Sequence, residues 1–290
     1  MILIDGSHGE GGGAILRQSL GLSILTRKAV KITNIRANRP KPGLSWQHLH
    51  ALNAAARLCN AKVSGNTQGS TEVTFEPGKI STNKLDIDVG TAGSVTLVLQ
   101  TLLLPLLFHQ EKISVRIKGG TDVKWSIPFD YFKNVLLPHL TPYAELDIKL
   151  IKRGFYPKGG GEILFTCKGK HQPENAPQLR KVTQGELFKI TGLSYASAEL
   201  QKNEVAERQA EGVRLILGQL HTTIDLQASY VQSTSMGSGI TLWARFGDKE
   251  GFTTAILGAS ELGEREIKAE KVGERAAKEL KTIIESGAVV

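Results

Sequence analysis

The residues best suited to chemistry form one continuous stretch near the start of the chain, His8-Gly-Glu-Gly-Gly-Gly-Ala-Ile-Leu-Arg17. Glycines let a backbone turn come close to a ligand, and the N–H groups at the start of a following helix attract anions. Arg17 lies about one helical turn further on, where its guanidinium can bind a second pair of phosphate oxygens. Glu10 would repel an anion unless a divalent cation lies between them, so we expect it to bind a metal ion or to handle protons. Alone, the glycines are equally compatible with a sharp bend between a strand and a helix.

Hydrophobic periodicity places this stretch between a strand and a helix and predicts a repeated unit. The order β-α-β-α-β-β covers about residues 1–80 and returns over about residues 81–170. Gly90-Thr-Ala-Gly-Ser94 heads a helix in the second copy, as the first glycine run does in the first. Two such helix starts would build one shared anion site. We therefore predict an α/β (α+β) fold made of repeated units.

A polar, proline-containing segment from Gln172 to Arg180 predicts a domain boundary. Before it, a helix is expected from about Pro128 to Leu140. After it, alternating strands and helices predict a smaller α/β domain, in which one strand runs from Phe252 to Leu257.

Composition favours a soluble protein with an anionic partner. The 36 Lys and Arg residues outnumber the 28 Asp and Glu residues, which gives a net charge of +8. Such a surplus makes nucleic acid or nucleotide the first expectation. Cys59 and Cys167 are too few and too far apart for a disulfide scaffold or a cysteine zinc site. With no signal peptide and no apolar run long enough to span a bilayer, we expect a cytoplasmic protein that is not bound to a membrane.

Two further segments each allow both a binding role and a purely structural role. Residues Arg153 to Glu162 hold a third glycine cluster with Lys158, which is able to bind phosphate or simply to form a hairpin turn. The Ser/Thr-rich segment Gln232 to Gly239 is either an RNA contact or an ordinary surface loop.

Six motifs in this order resemble the RNA 3'-terminal phosphate cyclase family. They are His8–Arg17, Ile35–Leu44, Gln47–Leu49, Gly93–Thr101, Gly119–Asp122 and Arg153–Gly161. The resemblance implies a large domain of repeated units, with a smaller domain inserted. On that basis we expect the large domain at residues 1–174, the inserted domain at 175–280 and the start of a return to the large domain at 281–290.

The resemblance also implies an ATP-dependent ligase reaction of RNA processing. AMP would pass from ATP to an enzyme histidine and then to the RNA 3'-phosphate, and the 2'-hydroxyl would close a 2',3'-cyclic phosphate. ATP, a divalent cation (Mg or Mn) and RNA with a 3'-terminal phosphate are therefore the implied cofactors and partners.

Several residues receive roles from the same resemblance. The RNA end and phosphates are assigned to Arg17, Arg36, Arg39, Gln47 and His48, the nucleotide to Gly11, Gly12, Gly13, Gln100 and Pro128, and the metal to Glu10. His48 also allows a second interpretation, since a lone histidine on an apolar helix face is often only a core residue.

The family's nucleophilic histidine matches no residue here, and we expect it beyond Val290, in a third repeat that appears truncated. An alternative function is therefore an RNA-end or nucleotide-binding protein of the same fold without catalysis. An enolpyruvyl transferase would share the repeats, but the motif set and the smaller domain argue against it. Apolar surface left by an incomplete third repeat would suit a homodimer.

Overall fold

The structure is a computed structural model that describes residues 1–248, 250 and 253–289. Its contacts group the chain into two compact units. The first unit comprises Met1–Gly119, Thr141–Ile151 and Glu162–Ala176, and the second comprises Gly120–Leu140, Lys152–Gly161 and the chain from Pro177 onward. Residues 120–140 and 152–161, which the sequence analysis assigned to the large domain, therefore group with the later part of the chain. The division into a large and an inserted domain stays a prediction.

The first unit begins with a four-stranded sheet and two helices. The strands are β1 (Ile2–Asp5), β2 (Val30–Thr33), β3 (Lys62–Ser64) and β4 (Val73–Glu76), and the helices are α1 (Ala14–Thr26) and α2 (Trp46–Cys59). The sheet order is β1-β2-β4-β3, with β1 and β2 parallel and the other neighbours antiparallel. A parallel pair needs a crossover, and α1 provides it, so the glycine run lies between β1 and this helix.

A second four-stranded sheet has the same strand order. Its strands are β5 (Lys84–Asp88), β6 (Ile113–Gly119), β7 (Ala144–Lys152) and β8 (Gly161–Gly169), arranged β5-β6-β8-β7, and α3 (Val95–Leu107) crosses between β5 and β6. Gly21 allows helices α1 and α3 to pack closely. A side chain on Gly21 would lie 3.1 Å from the carbonyl oxygen of Thr101. Leu20, Leu52 and Leu99 are fully buried in this unit.

The second unit is built on a third sheet with helices on both faces. Its strands are β9 (Glu186–Ser197), β10 (Thr223–Val231), β11 (Ser238–Gly247) and β12 (Thr253–Leu262), in the order β10-β9-β11-β12. Before them in the chain come α4 (Phe129–Tyr131) and α5 (Leu137–Leu140), and α6 (Val205–Leu217) and α7 (Ala269–Glu285) follow β9 and β12. Alternation along β11 turns Leu242 toward α6 and α7, and Trp243 toward Val135 on the opposite face.

The mixed α/β class is confirmed, and individual elements differ from expectation. The helix predicted from Pro128 to Leu140 is divided into α4, a π-helical turn at Phe132–Leu136 and α5. Pro138 has no N–H to continue an α-helical ladder, and Leu137 instead donates to the carbonyl of Phe132, five residues back. The strand expected from Phe252 to Leu257 is described from Thr253 to Leu262, and Phe252 lies outside the described residues. Within the described residues, no helix is long and apolar enough to cross a membrane.

Candidate phosphate-binding site

The glycine run forms a tight loop that Asn38 holds in place. Gly9 and Gly11 have φ of 60° and 59°, a conformation that favours glycine. The Asn38 amide donates to the carbonyls of Ser7 and Gly9 at 3.3 and 3.4 Å. A side chain on Gly11 would lie 2.7 Å from that amide, so the loop can close only with glycine there. Sequence analysis missed Asn38, because its partners lie about thirty residues earlier in the chain.

The start of α1 carries no side chain that satisfies its N–H groups. Gly13 is the N-terminal cap residue, makes no side-chain hydrogen bond, and is followed by no acidic residue in the first turn. Four N–H groups at a helix start have no partner within the helix. The first turn of α1 is therefore suited to an anion.

His48 on α2 lies directly against this helix start. A side chain on Gly13 would lie 2.0 Å from Nε2 of His48 and 3.1 Å from the Arg17 guanidinium. The other ring nitrogen, Nδ1, lies 2.6 Å from Oγ of Ser45. Ser45 is the N-terminal cap residue of α2, yet its hydroxyl orients the imidazole rather than capping the helix. Ser45 is a second residue that sequence analysis missed.

His48 is held neutral by its surroundings. It is only 8% exposed. Burial lowers its pKa to about 4, with smaller contributions from the charges of Arg36 and Arg17. Burial also lowers the pKa of Arg17 and of Arg36, and in Arg36 the charge of Arg39 adds to the effect. The charges of Arg17, Arg36 and Arg39 near the neutral His48 create a positive potential, which a bound anion would relieve.

Arg36 and Arg39 are fixed in different ways. Arg36 takes a left-handed backbone conformation, with φ of 56°, and its guanidinium donates to the carbonyl of Gly43 at 2.7 Å. The guanidinium of Arg39 pairs with the carboxylate of Glu10, and both side chains are exposed. Glu10 thus already has a cationic partner. The described residues contain no group of three or more His, Cys, Asp or Glu side chains placed to hold a metal ion.

Gln47 connects α2 to the second glycine turn. Its Oε1 accepts a hydrogen bond from the backbone N–H of Ser94 at 2.8 Å, and Ser94 caps the start of α3 through its side chain. Gln100 lies half-buried on the same helix. The structure therefore brings Gly11–Gly13, Glu10, Arg17, Arg36, Arg39, Gln47 and His48 into one region and places Gln100 on the neighbouring α3. Their binding roles stay predictions.

Pro128 belongs to the second unit and has a cavity of its own. It precedes α4 and lines a space of about 320 Å³ together with Val123, Trp125 and Leu262. Trp125 is 95% exposed and has φ of 62°, which is unusual for a bulky residue. Sequence analysis did not single out Trp125, because exposure and backbone conformation leave no mark in hydrophobic periodicity.

The motifs at Gly119–Asp122 and Arg153–Gly161 meet in a buried ionic network. The Arg153 guanidinium donates to both carboxylate oxygens of Asp122 at 2.9 Å and to Asp130 at 2.7 Å. It also lies 3.6 Å from the ring centre of Tyr195, whose hydroxyl donates to Asp122 at 2.7 Å. All four side chains are buried. These motif residues stabilise the second unit, and the Arg153–Gly161 segment is the hairpin connection between β7 and β8.

A profile described as RNA 3'-terminal phosphate cyclase matches residues 8–282. Curated relatives carrying the same name include one from Archaeoglobus fulgidus, 44% identical over 282 residues, which are 97% of this chain and 80% of that protein. The relative from Pyrococcus furiosus is 44% identical over 292 residues, covering 100% of this chain and 82% of its own length. The relative from Methanosarcina mazei is 40% identical over 306 residues, covering 100% and 84%.

Proposed function

The chain belongs to the RNA 3'-terminal phosphate cyclase family, and on that premise we propose that it uses ATP to convert an RNA 3'-terminal phosphate into a 2',3'-cyclic phosphate. The observation that carries the proposal is the approach of the neutral His48 ring and the Arg17 guanidinium to Gly13 at the start of α1. A helix start, a guanidinium and an imidazole donor directed at one point are suited to phosphate oxygens.

The reaction would proceed in three displacements at phosphorus, each of which forms one bond to phosphorus and breaks one. A histidine nitrogen attacks the α-phosphorus of ATP and displaces pyrophosphate. An oxygen of the RNA 3'-phosphate then takes AMP from that nitrogen. The ribose 2'-hydroxyl finally loses its proton, attacks the 3'-phosphorus and displaces AMP. Activation is needed because a terminal phosphate dianion is a poor electrophile, and attached AMP is a good leaving group.

The cationic residues of the first unit stabilise the charge that accumulates on two neighbouring phosphates. Arg17, Arg36 and Arg39 bind phosphate oxygens of the RNA end and the nucleotide, and His48, neutral at pH 7, donates one hydrogen bond without adding charge. Gly11, Gly12 and Gly13 present backbone N–H groups, while Gln100 contacts the α-phosphate. The NH₂ group of Gln47 donates to the RNA end, since its carbonyl oxygen is already bonded to Ser94.

Glu10 is the residue that would bind a divalent cation, Mg or Mn. Its exposed carboxylate fits that role, since Mg²⁺ is usually held by one or two carboxylates together with substrate phosphates and water. The cation would neutralise charge on the triphosphate. To bind it, the Glu10 carboxylate must leave Arg39, and Arg39 would then be able to bind phosphate.

Pro128 would contact the base of the nucleotide. The neighbouring cavity of about 320 Å³ has a mixed lining, in which Val123, Pro128 and Leu262 are apolar and Lys124, Glu261 and Glu264 are charged. Trp125, which also lines it, offers an exposed aromatic face for stacking.

We also propose a cytoplasmic location and a homodimer. Cys59 and Cys167 are buried and unpaired, as in a reducing compartment. Ile2 and Leu3 are exposed on β1, the outer strand of the first sheet, where a second copy would cover them. Light scattering at micromolar concentration tests the dimer, and a monomeric mass would contradict it.

The activity is tested with an RNA that carries a labelled 3'-phosphate, incubated with ATP and Mg²⁺ or Mn²⁺. Cyclisation makes the label resistant to phosphatase and removes one water from the RNA mass. An RNA with a 3'-hydroxyl end is the control and should not change. Binding of 3'-phosphorylated RNA without any product would support the non-catalytic alternative instead.

The nucleophile is tested separately by intact-mass spectrometry after incubation with ATP and metal. An AMP adduct on one of the chain's histidines, mapped to its residue, would identify the nucleophile and support catalysis by this chain. No adduct, with ATP or 3'-phosphorylated RNA still binding, would support the non-catalytic alternative.

A further inference from the structure

Two loops of the second unit are locked together. One is the hairpin connection 153–160 between β7 and β8, and the other is the segment 232–237 between β10 and β11. Oγ1 of Thr234 donates to the carbonyl of Gly159 at 2.8 Å, and the backbone N–H of Lys158 donates to Oγ of Ser235 at 3.1 Å. We call the two segments the joined loops.

Glycines make this contact possible, and a buried ring anchors it. A side chain on Gly160 would lie 2.7 Å from Oγ1 of Thr234, and one on Gly237 would lie 2.3 Å from the Phe155 ring. Phe155 is itself buried and stacks on Tyr195 at 6.3 Å between ring centres. Tyr195 belongs to the buried network around Arg153. The joined loops therefore form a fixed surface continuous with the core of the second unit.

Several large or charged side chains on this fixed surface are exposed to solvent and so do not contribute to the core of the second unit. Tyr156 is 75% exposed and Met236 is 67% exposed. Lys158, and Lys152 directly before the first loop, are exposed as well, and the joined loops contain no Asp or Glu. Arg153, the remaining cation of these segments, is already paired with two carboxylates.

We propose that the joined loops bind single-stranded RNA, with a base stacked on Tyr156 and a backbone phosphate at Lys158. This inference rests on the proposed function, and it concerns nucleotides of the RNA other than its 3'-terminal phosphate. A rigid aromatic face, neighbouring lysines and hydroxyl groups suit single-stranded nucleic acid, because stacking accepts any base and lysine attracts phosphate. One tyrosine and one methionine offer too little apolar area for a stable protein interface.

Binding of fluorescent, 3'-phosphorylated RNAs tests the stacking contact without requiring catalysis. We expect Tyr156→Ala and Tyr156→Leu to weaken binding of an RNA of about twelve nucleotides roughly tenfold, since stacking on one base has about that effect. Tyr156→Phe should bind within about twofold of the wild type, because it keeps the ring. A 3'-phosphorylated dinucleotide should bind all variants equally. Phe188→Ala, which removes another half-exposed aromatic residue of this unit, is the matched control.

The salt dependence of binding tests the lysine. Lys158→Gln should reduce the slope of log affinity against log salt by about 0.7, the value for one phosphate contact on a single strand. Lys158→Arg should preserve the slope.

Unchanged binding of the longer RNA by Tyr156→Ala and Lys158→Gln would overturn the proposal. The same unchanged binding is expected if these loops contact another protein instead of RNA. Failure of the proposed function gives a different result. Wild-type protein would then form no cyclic product from either RNA, whatever the binding measurements show.

Discussion

The side-chain carbonyl of Gln47 accepts a hydrogen bond from the backbone N–H of Ser94 at 2.8 Å, 47 residues further along the chain. Gln47 lies in the first turn of α2, beside His48, and Ser94 caps α3. One hydrogen bond therefore links the histidine side of the phosphate site to the second glycine-headed helix. It also gives Gln47 a structural task that a binding role alone would not require.

Gln47→Ala and Gln47→Glu should separate these two tasks. The alanine variant removes the acceptor for Ser94, so we expect a loss of about 1 kcal/mol in the free energy of unfolding together with weaker binding of RNA 3'-phosphate. The glutamate variant keeps an acceptor but brings negative charge near the arginines. Its stability should stay near the wild-type value while its phosphate affinity falls. Urea unfolding and RNA titrations measure both, and equal stability loss in the two variants would contradict the assignment.

Gly13→Ala should slow cyclisation strongly, whereas Gly12→Ala should be tolerated better. The new methyl group at residue 13 would lie 2.0 Å from Nε2 of His48, which must move away from the helix start. At residue 12 the nearest atom is 3.1 Å away and belongs to the flexible end of Arg39. We expect a loss of at least about a hundredfold in kcat/KM for Gly13→Ala and about tenfold or less for Gly12→Ala, equivalent to about 3 and 1.4 kcal/mol of transition-state stabilisation. Similar rates for the two would show that the His48 position does not matter.

The parts of this site that could be predicted from the sequence are those whose pattern lies within a few neighbouring residues. The glycine turns at residues 9–13 and 90–94 appear in the sequence as breaks between hydrophobic patterns, and the structure places each between a strand and a helix. Asn38 and Ser45 could not be found in this way. Asn38 contacts residues about thirty positions away, and Ser45 looks like an ordinary helix cap until the His48 ring is seen against it.

In the second unit, the sequence identified the motif residues but did not indicate their structural role. Their resemblance to the family identified Asp122 and Arg153 as parts of shared motifs without indicating what they do. The structure shows them buried against each other, with Asp130 and Tyr195 completing the network. A sequence pattern cannot separate a buried structural ion pair from a catalytic one, because both require the same residue types.

The stability of the protein should fall as the pH falls from 6.5 toward 4, and His48 should account for part of the loss. Its pKa is lowered to about 4 in the folded state from an ordinary value of 6.5. The unfolded chain therefore binds a proton between these values that the folded chain excludes, so stability is fully present above 6.5 and is lost as the pH falls. The contribution between pH 7 and 5 is about 2 kcal/mol. Urea unfolding at both pH values measures it, with His48→Gln as the variant that does not titrate. An equal pH effect in the variant would contradict this account.

Arg39→Ala should reduce activity far more than stability. Its ion pair with Glu10 is exposed, and exposed pairs contribute little to folding, so we expect a change within about 0.5 kcal/mol in the free energy of unfolding. Loss of a phosphate-binding guanidinium should lower kcat/KM about a hundredfold or more. Lys149→Ala, an exposed lysine on β7, is the control for removing one positive charge from the surface.

Glu10→Gln tests the metal role in the same assay. The neutral amide keeps the size of the side chain but binds Mg²⁺ or Mn²⁺ poorly. We expect the metal concentration needed for half-maximal activity to rise at least about tenfold, and EDTA to abolish wild-type activity. An unchanged metal requirement in Glu10→Gln would mean that the cation is held elsewhere.

Arg153→Leu should destabilise the second unit by about 3–5 kcal/mol, because it leaves Asp122 and Asp130 buried without their cation. Burial already raises the pKa of Asp130 in the wild type, and Arg153 is the first of the groups that oppose this shift. Without the guanidinium, the pKa of Asp130 should rise further, so its folded form should take up a proton that the unfolded chain releases. The difference in stability between variant and wild type should therefore shrink as the pH falls from 7 to 5. Urea unfolding followed by fluorescence of the buried Trp243 measures this, and adding Asp130→Asn to Arg153→Leu should recover part of the loss. A difference that stays the same from pH 7 to pH 5 would show that packing of the Arg153 side chain, rather than its charge, stabilises the network.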